Sequence, residues 1–252
     1  MTTLALRLAG PLQAWPAHSR GIRRPSYRAP TYSGLSGLIA AALGRPRSDA
    51  TDPVAEAAIA VRIDNPGRVI TDYQSINPLP SPGDRFDRRR QRRPQMLTMA
   101  GSPYGQTVLT NRQYLADAQF LCLVESTDAD RFATALATPR WATFLGRKAC
   151  VPGIDVVLGT FATPAADLVG QFPVIDPGAD GATVTREVHW LSDSATSRAE
   201  VEWWIDQPAG PVGASYHGRP RATTWQTCPT VASSGDLRRW SVDHRLSDRS
   251  VQ

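Results

Sequence analysis

PTYSGLSGLIAAALGR, residues 30–45, decides how the first half of the chain folds. Leu35, Leu38, Ile39, Ala42 and Leu43 recur at i, i+3, i+4, i+7 and i+8, the spacing of one apolar helix face. The Pro-Thr-Tyr-Ser-Gly turn before them puts hydroxyl residues at the helix start, and Ser33 is the expected N-cap. Position 36 is Ser rather than Glu or Gln, so no capping box closes that end. Free first-turn N–H groups, backed by the helix dipole, suit an anion and hence a phosphate.

The flanks supply strands. LALRL (4–8) alternates with Leu4, Leu6 and Leu8 toward a core, and AIAVRID alternates through Ile59, Val61 and Ile63. After the Asn65-Pro66-Gly67 turn, VITDYQSI reads as the hairpin partner of AIAVRID. AQFLCLV (118–124) is a buried strand. Asp128 is placed to cap a short helix with Phe132, Ala135 and Leu136 on one face, ended by Pro139, and DVVLG (155–159) adds a strand. With 77–107 set aside, the order is strand, helix, strand, strand, helix, strand. That order predicts an α+β fold, a ferredoxin-like (RRM-like) βαββαβ domain over residues 1–160, with both helices on one face of an antiparallel sheet. VTREVHWL and AEVEWWI are strand candidates in a Pro- and Gly-rich region, so 161–225 is expected as a small β-rich appendage. Residues 226–252 read as a polar tail, partly disordered.

The chain has 252 residues, 41% of them hydrophobic, enough for one large domain or two small ones. No run of 18 apolar residues occurs and TTLALRLAG lacks a basic leader, so the expectation is a soluble cytoplasmic protein with no membrane contact. Cys122, Cys150 and Cys228 are odd in number and far apart, and His18, His189, His217 and His244 are equally scattered. Neither set has disulfide or zinc spacing, so no metal or cofactor is expected. Net charge is +5, and Lys148 is the only lysine among 28 basic residues. The arginine bias has two readings, a GC-rich genome or a polyanion that guanidinium groups grip bidentately.

Two segments carry the charge. DRFDRRRQRR (84–93) sets six arginines against two aspartates inside the long stretch 77–107. It reads either as a solvated loop or as an arm along a nucleic acid, with Phe86, Met96 or Met99 beside bases. FLGRKACVP (144–152) places Gly146, Arg147 and Lys148 together, and beside the first helix start they would complete a phosphate-binding surface. Enzyme signatures fail. Lys148 follows Arg147 rather than Gly, so there is no Walker A loop; Gly34, Gly37 and Gly44 do not make G-x-G-x-x-G. The aromatic signature of the common RNA-recognition motif is absent. Metal-independent RNA cleavage needs a paired acid and base, and neither His18 nor His189 has a sequence neighbour of that kind.

The segments LALRLAGPLQAWPAHSR, APTYSGLSGLIAAALGR, TDYQSI, LTNRQYLADAQFLCLVE and TPRWATFLGRKACVP, spanning residues 4–152, occur in the order seen in the CasD family, which this chain resembles. That family holds the 5′ end of the guide RNA in Cascade, the type I-E CRISPR surveillance complex. The resemblance implies a protruding β-hairpin thumb at 77–107 and a non-catalytic subunit that caps the 5′ handle of the CRISPR RNA. It also implies contacts to the backbone subunit and to the large PAM-recognising subunit, with target DNA met through the complex. Thr31, Ser33, Gly34, Ser36 and Gly37 would meet the handle, with Gly146, Arg147 and Lys148 nearby. The RNA-binding set further includes Gln13, Arg23, Arg24, Tyr27, Arg28 and Arg45, the arm residues Arg88, Arg89, Arg90 and Met96, and Arg112. One departure is Tyr32, where the family often has a basic residue; either a phosphate contact is missing there or Arg28 or Arg45 replaces it. The alternative is a metal-independent endoribonuclease cutting the repeat, since relatives in another subtype use a Tyr, Lys and His set. Here Tyr27, Tyr73 and Tyr104 exist, but NRQYLADA stands where a His would follow the thumb. A generic DNA-binding protein ranks last, for want of a recognition helix.

Overall fold

The computed structural model describes residues 1–17, 22–46, 48–49, 51–76, 108–153, 156–191, 201–208 and 216–249. Strand β1 (Thr2–Ala9) leads to four short strands, β2 (Leu12–Gln13), β3 (Trp15–Pro16), β4 (Arg23–Arg24) and β5 (Ser26–Tyr27), and then to helix α1 (Tyr32–Leu43). Next come β6 (Ala58–Asn65), β7 (Arg68–Ile76), β8 (Val108–Ala116), β9 (Gln119–Ser126), α2 (Ala129–Ala137) and β10 (Val157–Phe161). The chain continues through α3 (Ala165–Gln171), β11 (Val174–Ile175), β12 (Thr183–Trp190), β13 (Val201–Pro208), β14 (Tyr216–Val231) and α4 (Ser234–Arg249).

The fold is α+β. Among the described residues, the main sheet runs β10-β1-β9-β6-β12-β14-β11, with β13 on β14. β9 explains its own sequence: FLCLV is a continuous apolar run because both faces are covered. Phe120, Cys122 and Val124 join Leu4, Leu6, Leu8, Ile59, Val61 and the α1 residues Leu35, Leu38, Ile39 and Ala42 in one core. Leu121 and Leu123 face the other side, with Ala5, Ala60, Leu158, Phe161, Leu168, Val169 and Phe172. Each fully buried Leu, Val, Ile or Phe contributes roughly 1.5–3 kcal/mol relative to exposure. Phe132 and Leu136 bring α2 to the first core, while Leu168 of α3 and Leu237 of α4 close the second.

Five expectations change. The hairpin partner of β6 is not VITDYQSI: β6 pairs with β9, and β7 pairs with β8 from Arg68↔Ala116 to Ile76↔Val108 in a separate sheet. The Asn65-Pro66-Gly67 turn re-aims the chain, with Gly67 at φ 64° and a Cβ there falling 2.4 Å from the Ala116 carbonyl oxygen. The last strand of the first half starts at Val157, two residues later than DVVLG suggests. The second sheet face carries helices of its own, because α3 and α4 cover it. The strands after 161 continue the main sheet, since β12 pairs antiparallel with β6 at Val188↔Arg62, His189↔Val61 and Trp190↔Ala60. Residues 226–252, expected as a polar tail, include the end of β14 and helix α4. Ser241 Oγ and Arg245 Nη2 of that helix both donate to the Leu158 carbonyl oxygen and so satisfy the outer edge of β10.

Candidate nucleic-acid interface

The start of α1 is capped by Thr31, not by Ser33. Thr31 has extended backbone (φ −97°, ψ 157°), and its Oγ1 accepts from the Gly34 N–H at 3.2 Å. Ser33 already lies inside the helix, with its Oγ 3.4 Å from Thr31 Oγ1. A carboxylate lies beside the first turn: Ser36 Oγ donates to Asp52 Oδ1 at 2.7 Å, and Tyr32 Oη lies 2.8 Å from Asp52 Oδ2. Gly34 is packed rather than open, since a Cβ there would fall 2.7 Å from Cε3 of Trp15. Gly37, one turn later, is exposed, and a Cβ on it would meet nothing within 4 Å. Of the helix-start residues, Thr31 is thus buried, Ser36 hydrogen-bonds Asp52, and Gly37 faces outward.

The Gly146 loop meets this helix start through adjacent residues. Gly146 has φ 88°, and a Cβ would fall 1.7 Å from the Ala14 carbonyl oxygen, so only glycine fits. Ala14 donates its N–H to the Leu145 carbonyl oxygen at 3.0 Å, and its neighbour Trp15 is the ring against Gly34. Arg147 is a clamp. Its Nη1 donates to the Gln113 carbonyl oxygen and its Nη2 to the Arg24 carbonyl oxygen, each at 2.8 Å, and the guanidinium lies 5.1 Å from the Tyr114 ring centroid. Lys148 is exposed. Gln13 is corrected from an RNA contact to a core residue: it is 0% exposed, its Nε2 donates to the Leu8 and Ala118 carbonyl oxygens, and its Oε1 accepts from Trp15 Nε1.

At the base of the β7–β8 hairpin, β4 runs parallel to β8, with Arg23 beside Asn111 and Arg24 beside Arg112. Arg23 and Arg24 are exposed, Arg112 is half-buried, and two like charges on one rung favour an anion between them. Tyr27 is the register partner of Trp15 and packs against the core, whereas Arg28 is exposed. Arg45 is at the far end of α1, a helix about 18 Å long, so it is not the basic substitute at Tyr32. Arg219 of β14 lies against Tyr32, its guanidinium carbon 3.5 Å from the ring centroid. Arg88, Arg89, Arg90 and Met96 lie outside the described residues, as do Phe86, Met99, Tyr104 and His18.

A groove of about 990 Å³ lies between Ser26, Tyr27 and Arg28 on one side and β12 and β14 on the other. His189, which has no sequence neighbour of acid–base type, gains partners here: Glu187 Oε1 is 2.6 Å from its Nε2, and Arg221 Nη1 is 3.1 Å from its Nδ1. Arg221 also pairs with Glu202. Burial of the imidazole pushes its pKa down; the Glu187 hydrogen bond opposes this, and the Arg221 charge adds to it. The signal for this groove was period two in VTREVHWL and PRATTWQT, where polar residues alternate with Val188, Trp190 and Ala222. Burial pushes the thiols of Cys122, Cys150 and Cys228 up, so none is an activated nucleophile. Among the described residues, no group of three or more His, Cys, Asp or Glu could hold a metal ion, and no helix is long and apolar enough to cross a membrane.

The described residues thus form an α+β sheet that carries exposed arginines, Arg23 and Arg24, beside the β7–β8 hairpin. A model of the CRISPR-associated Cas5 proteins matches residues 3–216, and the chain belongs to that family. It is 34% identical over 189 residues to the CRISPR system Cascade subunit CasD of Escherichia coli (strain K12), covering 68% of this chain and 77% of that protein. A solved chain from a CRISPR RNA-guided surveillance complex superposes with a TM-score of 0.76 at 31% identity, over 96% of this chain and 98% of that one. A crystal structure of a Cas protein gives 0.63 at 26% identity, over 92% and 98%.

Proposed function

We propose that this chain is a non-catalytic subunit of a type I-E Cascade complex, binding and capping the 5′ handle of the CRISPR RNA in antiviral defence. The observation that carries the reading is the likeness, across 96% of the chain, to a subunit of an RNA-guided surveillance complex. The strand order β10-β1-β9-β6, all antiparallel with α1 and α2 on one face, supports the ferredoxin-like topology. The β7–β8 hairpin, paired apart from the main sheet, supports the thumb reading, with 77–107 beyond its far end. Phosphates would lie along Arg23, Arg24 and Arg112, with Lys148 and the exposed Gly37 adjoining. Neighbouring subunits, the Cascade backbone and the large PAM-recognising protein, would hold the chain in the cytoplasm on target DNA.

Repeat cleavage is the disfavoured alternative. Tyr27 and His189 do line one groove, but His189 is only 3% exposed and its ring nitrogens face Glu187 and Arg221. Incubation of the purified chain with its own repeat RNA should leave that RNA intact, with or without chelator. RNA co-purified from the native host should carry one constant 5′ tag on varied guides. Specific cleavage abolished by Tyr27→Phe would overturn the binding-only reading.

A further inference from the structure

The groove facing Tyr27 and Arg28 differs in kind from the basic hairpin base. Across β6, Ile59, Val61 and Ile63 point into the α1-side core. The same sheet face continues over β12 and β14 as a polar surface, because Val61 sits opposite His189, His189 opposite Thr223, and Glu187 opposite Trp225. Of its ionised side chains, Asp64 is spent on Arg62 and Glu202 pairs with Arg221, which leaves Arg28 and Arg186 with Glu187. A phosphate entering there meets both signs of charge, unlike one beside Arg23, Arg24 and Arg112. In the middle stands Trp225, 65% exposed, an indole face set among polar neighbours.

We propose that this groove takes an unpaired base of the bound RNA, stacked on Trp225. The proposal rests on the RNA-binding reading above and adds the place where a base, rather than a phosphate, is held. A base is uncharged, so a lining of mixed charge does not repel it, and its flat apolar face matches the exposed indole. Its edge carries donors and acceptors. Glu187 and Glu202 line it as acceptors for an exocyclic amine, and Arg28 as a donor to a carbonyl or ring nitrogen. The volume suits this, at the upper end of the ~300–1,000 Å³ typical of ligand sites. Access follows from the chain: Arg28 is four residues from Arg24, at most about 14 Å of extended backbone. A strand with its phosphates on Arg23, Arg24 and Arg112 therefore passes the mouth of the groove, where one base can leave the stack.

The test uses the full chain and a single-stranded RNA carrying the repeat-derived 5′ tag of its host. A fluorescent adenine analogue, 2-aminopurine, replaces each tag position in turn. One position should be quenched on binding, and that quenching should vanish in Trp225→Ala and persist in Trp225→Phe. Trp225→Ala should weaken binding roughly 5- to 150-fold, the range of one lost base–aromatic stack, with the salt dependence unchanged. Its exposure predicts a wild-type thermal midpoint. Wild-type affinity and quenching in Trp225→Ala, together with binding lost in Arg24→Ser with Arg112→Ser, would overturn the base site alone. Loss of a partner subunit rather than of RNA in Trp225→Ala would assign the groove to protein and overturn it equally. Failure of the wild-type chain to bind the RNA would overturn both readings.

Discussion

Arg62 and Asp64 form an ion pair beneath the second core, Nε to Oδ1 at 2.6 Å, with the guanidinium fully buried. The same guanidinium donates to the carbonyl oxygens of Val169, Phe172 and Pro173, which lie at and just past the end of α3. One side chain of β6 thus satisfies orphan acceptors of a helix that follows more than a hundred residues later. Burial works against the charge, but Asp64 and the hydrogen bonds overcome it and hold the Arg62 pKa above its ordinary value. Arg62→Met leaves Asp64 and three carbonyl groups without their donor. Unfolding in urea should show a loss of about 3–5 kcal/mol, the cost of breaking a buried pair from one side. An unchanged midpoint would mean that water replaces the guanidinium.

The two helix glycines should separate. Gly34→Ala drives a methyl group into the Trp15 ring, and overpacking of this kind costs about 1–3 kcal/mol. Gly37→Ala meets open space and should stabilise the helix by about 0.5–1 kcal/mol. Denaturation midpoints moving in opposite directions are the expected result. If the RNA backbone lies close over Gly37, the same methyl group should weaken handle binding while the fold gains.

Arg147 and Lys148 are neighbours with different work. Arg147→Ala removes charge-assisted hydrogen bonds to the backbone of β4 and β8, each worth about 1.5–3 kcal/mol when buried and less at this half-exposed place. The melting temperature should fall. Lys148→Ala should leave it in place and flatten the log–log salt dependence of handle binding by roughly 0.7, one phosphate contact on a single strand. A melting temperature lowered by Lys148→Ala and untouched by Arg147→Ala would reverse these assignments.

His189 gives the structure a pH dependence whose sign is fixed. Its folded pKa is depressed, first by burial, with Arg221 adding to the effect and Glu187 and Glu202 opposing it. The stability it contributes is therefore complete above the unfolded value near 6.5 and is lost as pH falls below that value toward the folded one. Urea midpoints from pH 8 to pH 5 should decline more steeply for wild type than for His189→Gln. Parallel curves would show that the imidazole titrates alike in both states.

Period and run length made the first half legible. α1, α2, β1, β6 and β9 follow from local pattern, because each buries a face that its own residues spell out. Pairing was harder. VITDYQSI follows β6 across a turn, yet it leaves for β8, since the choice lies in Gly67 and in residues forty positions away. Helices α3 and α4 were hidden for different reasons. AADLVGQ is only seven residues long, and SGDLRRWSVDHRLSDR is so polar that its apolar contact with the second core comes down to Leu237 and Trp240, beside the Ser241 and Arg245 hydrogen bonds to Leu158. In the candidate site, the family resemblance implied that Gln13, Thr31 and Arg147 meet RNA. All three are spent on the protein's own backbone, which only spatial neighbours reveal. Arg219 and Trp225 went unnoticed because their strand matches no motif.

β1 lies between β9 and β10, with Leu6 opposite Cys122 on one edge and Val157 on the other. β1 is therefore paired on both edges only after β9 and β10 have been synthesised. At 5–20 residues per second, roughly 8–30 seconds pass before residue 161 has been added. Until β9 is made, Leu4, Leu6 and Leu8 stand on a strand with two open edges, and until β10 is made one edge stays open, a natural target for chaperones. Pairing of the second edge of β1 has to wait for synthesis of β10, however fast each local element forms. For this protein the length of chain already made, more than any local preference, sets the moment of folding.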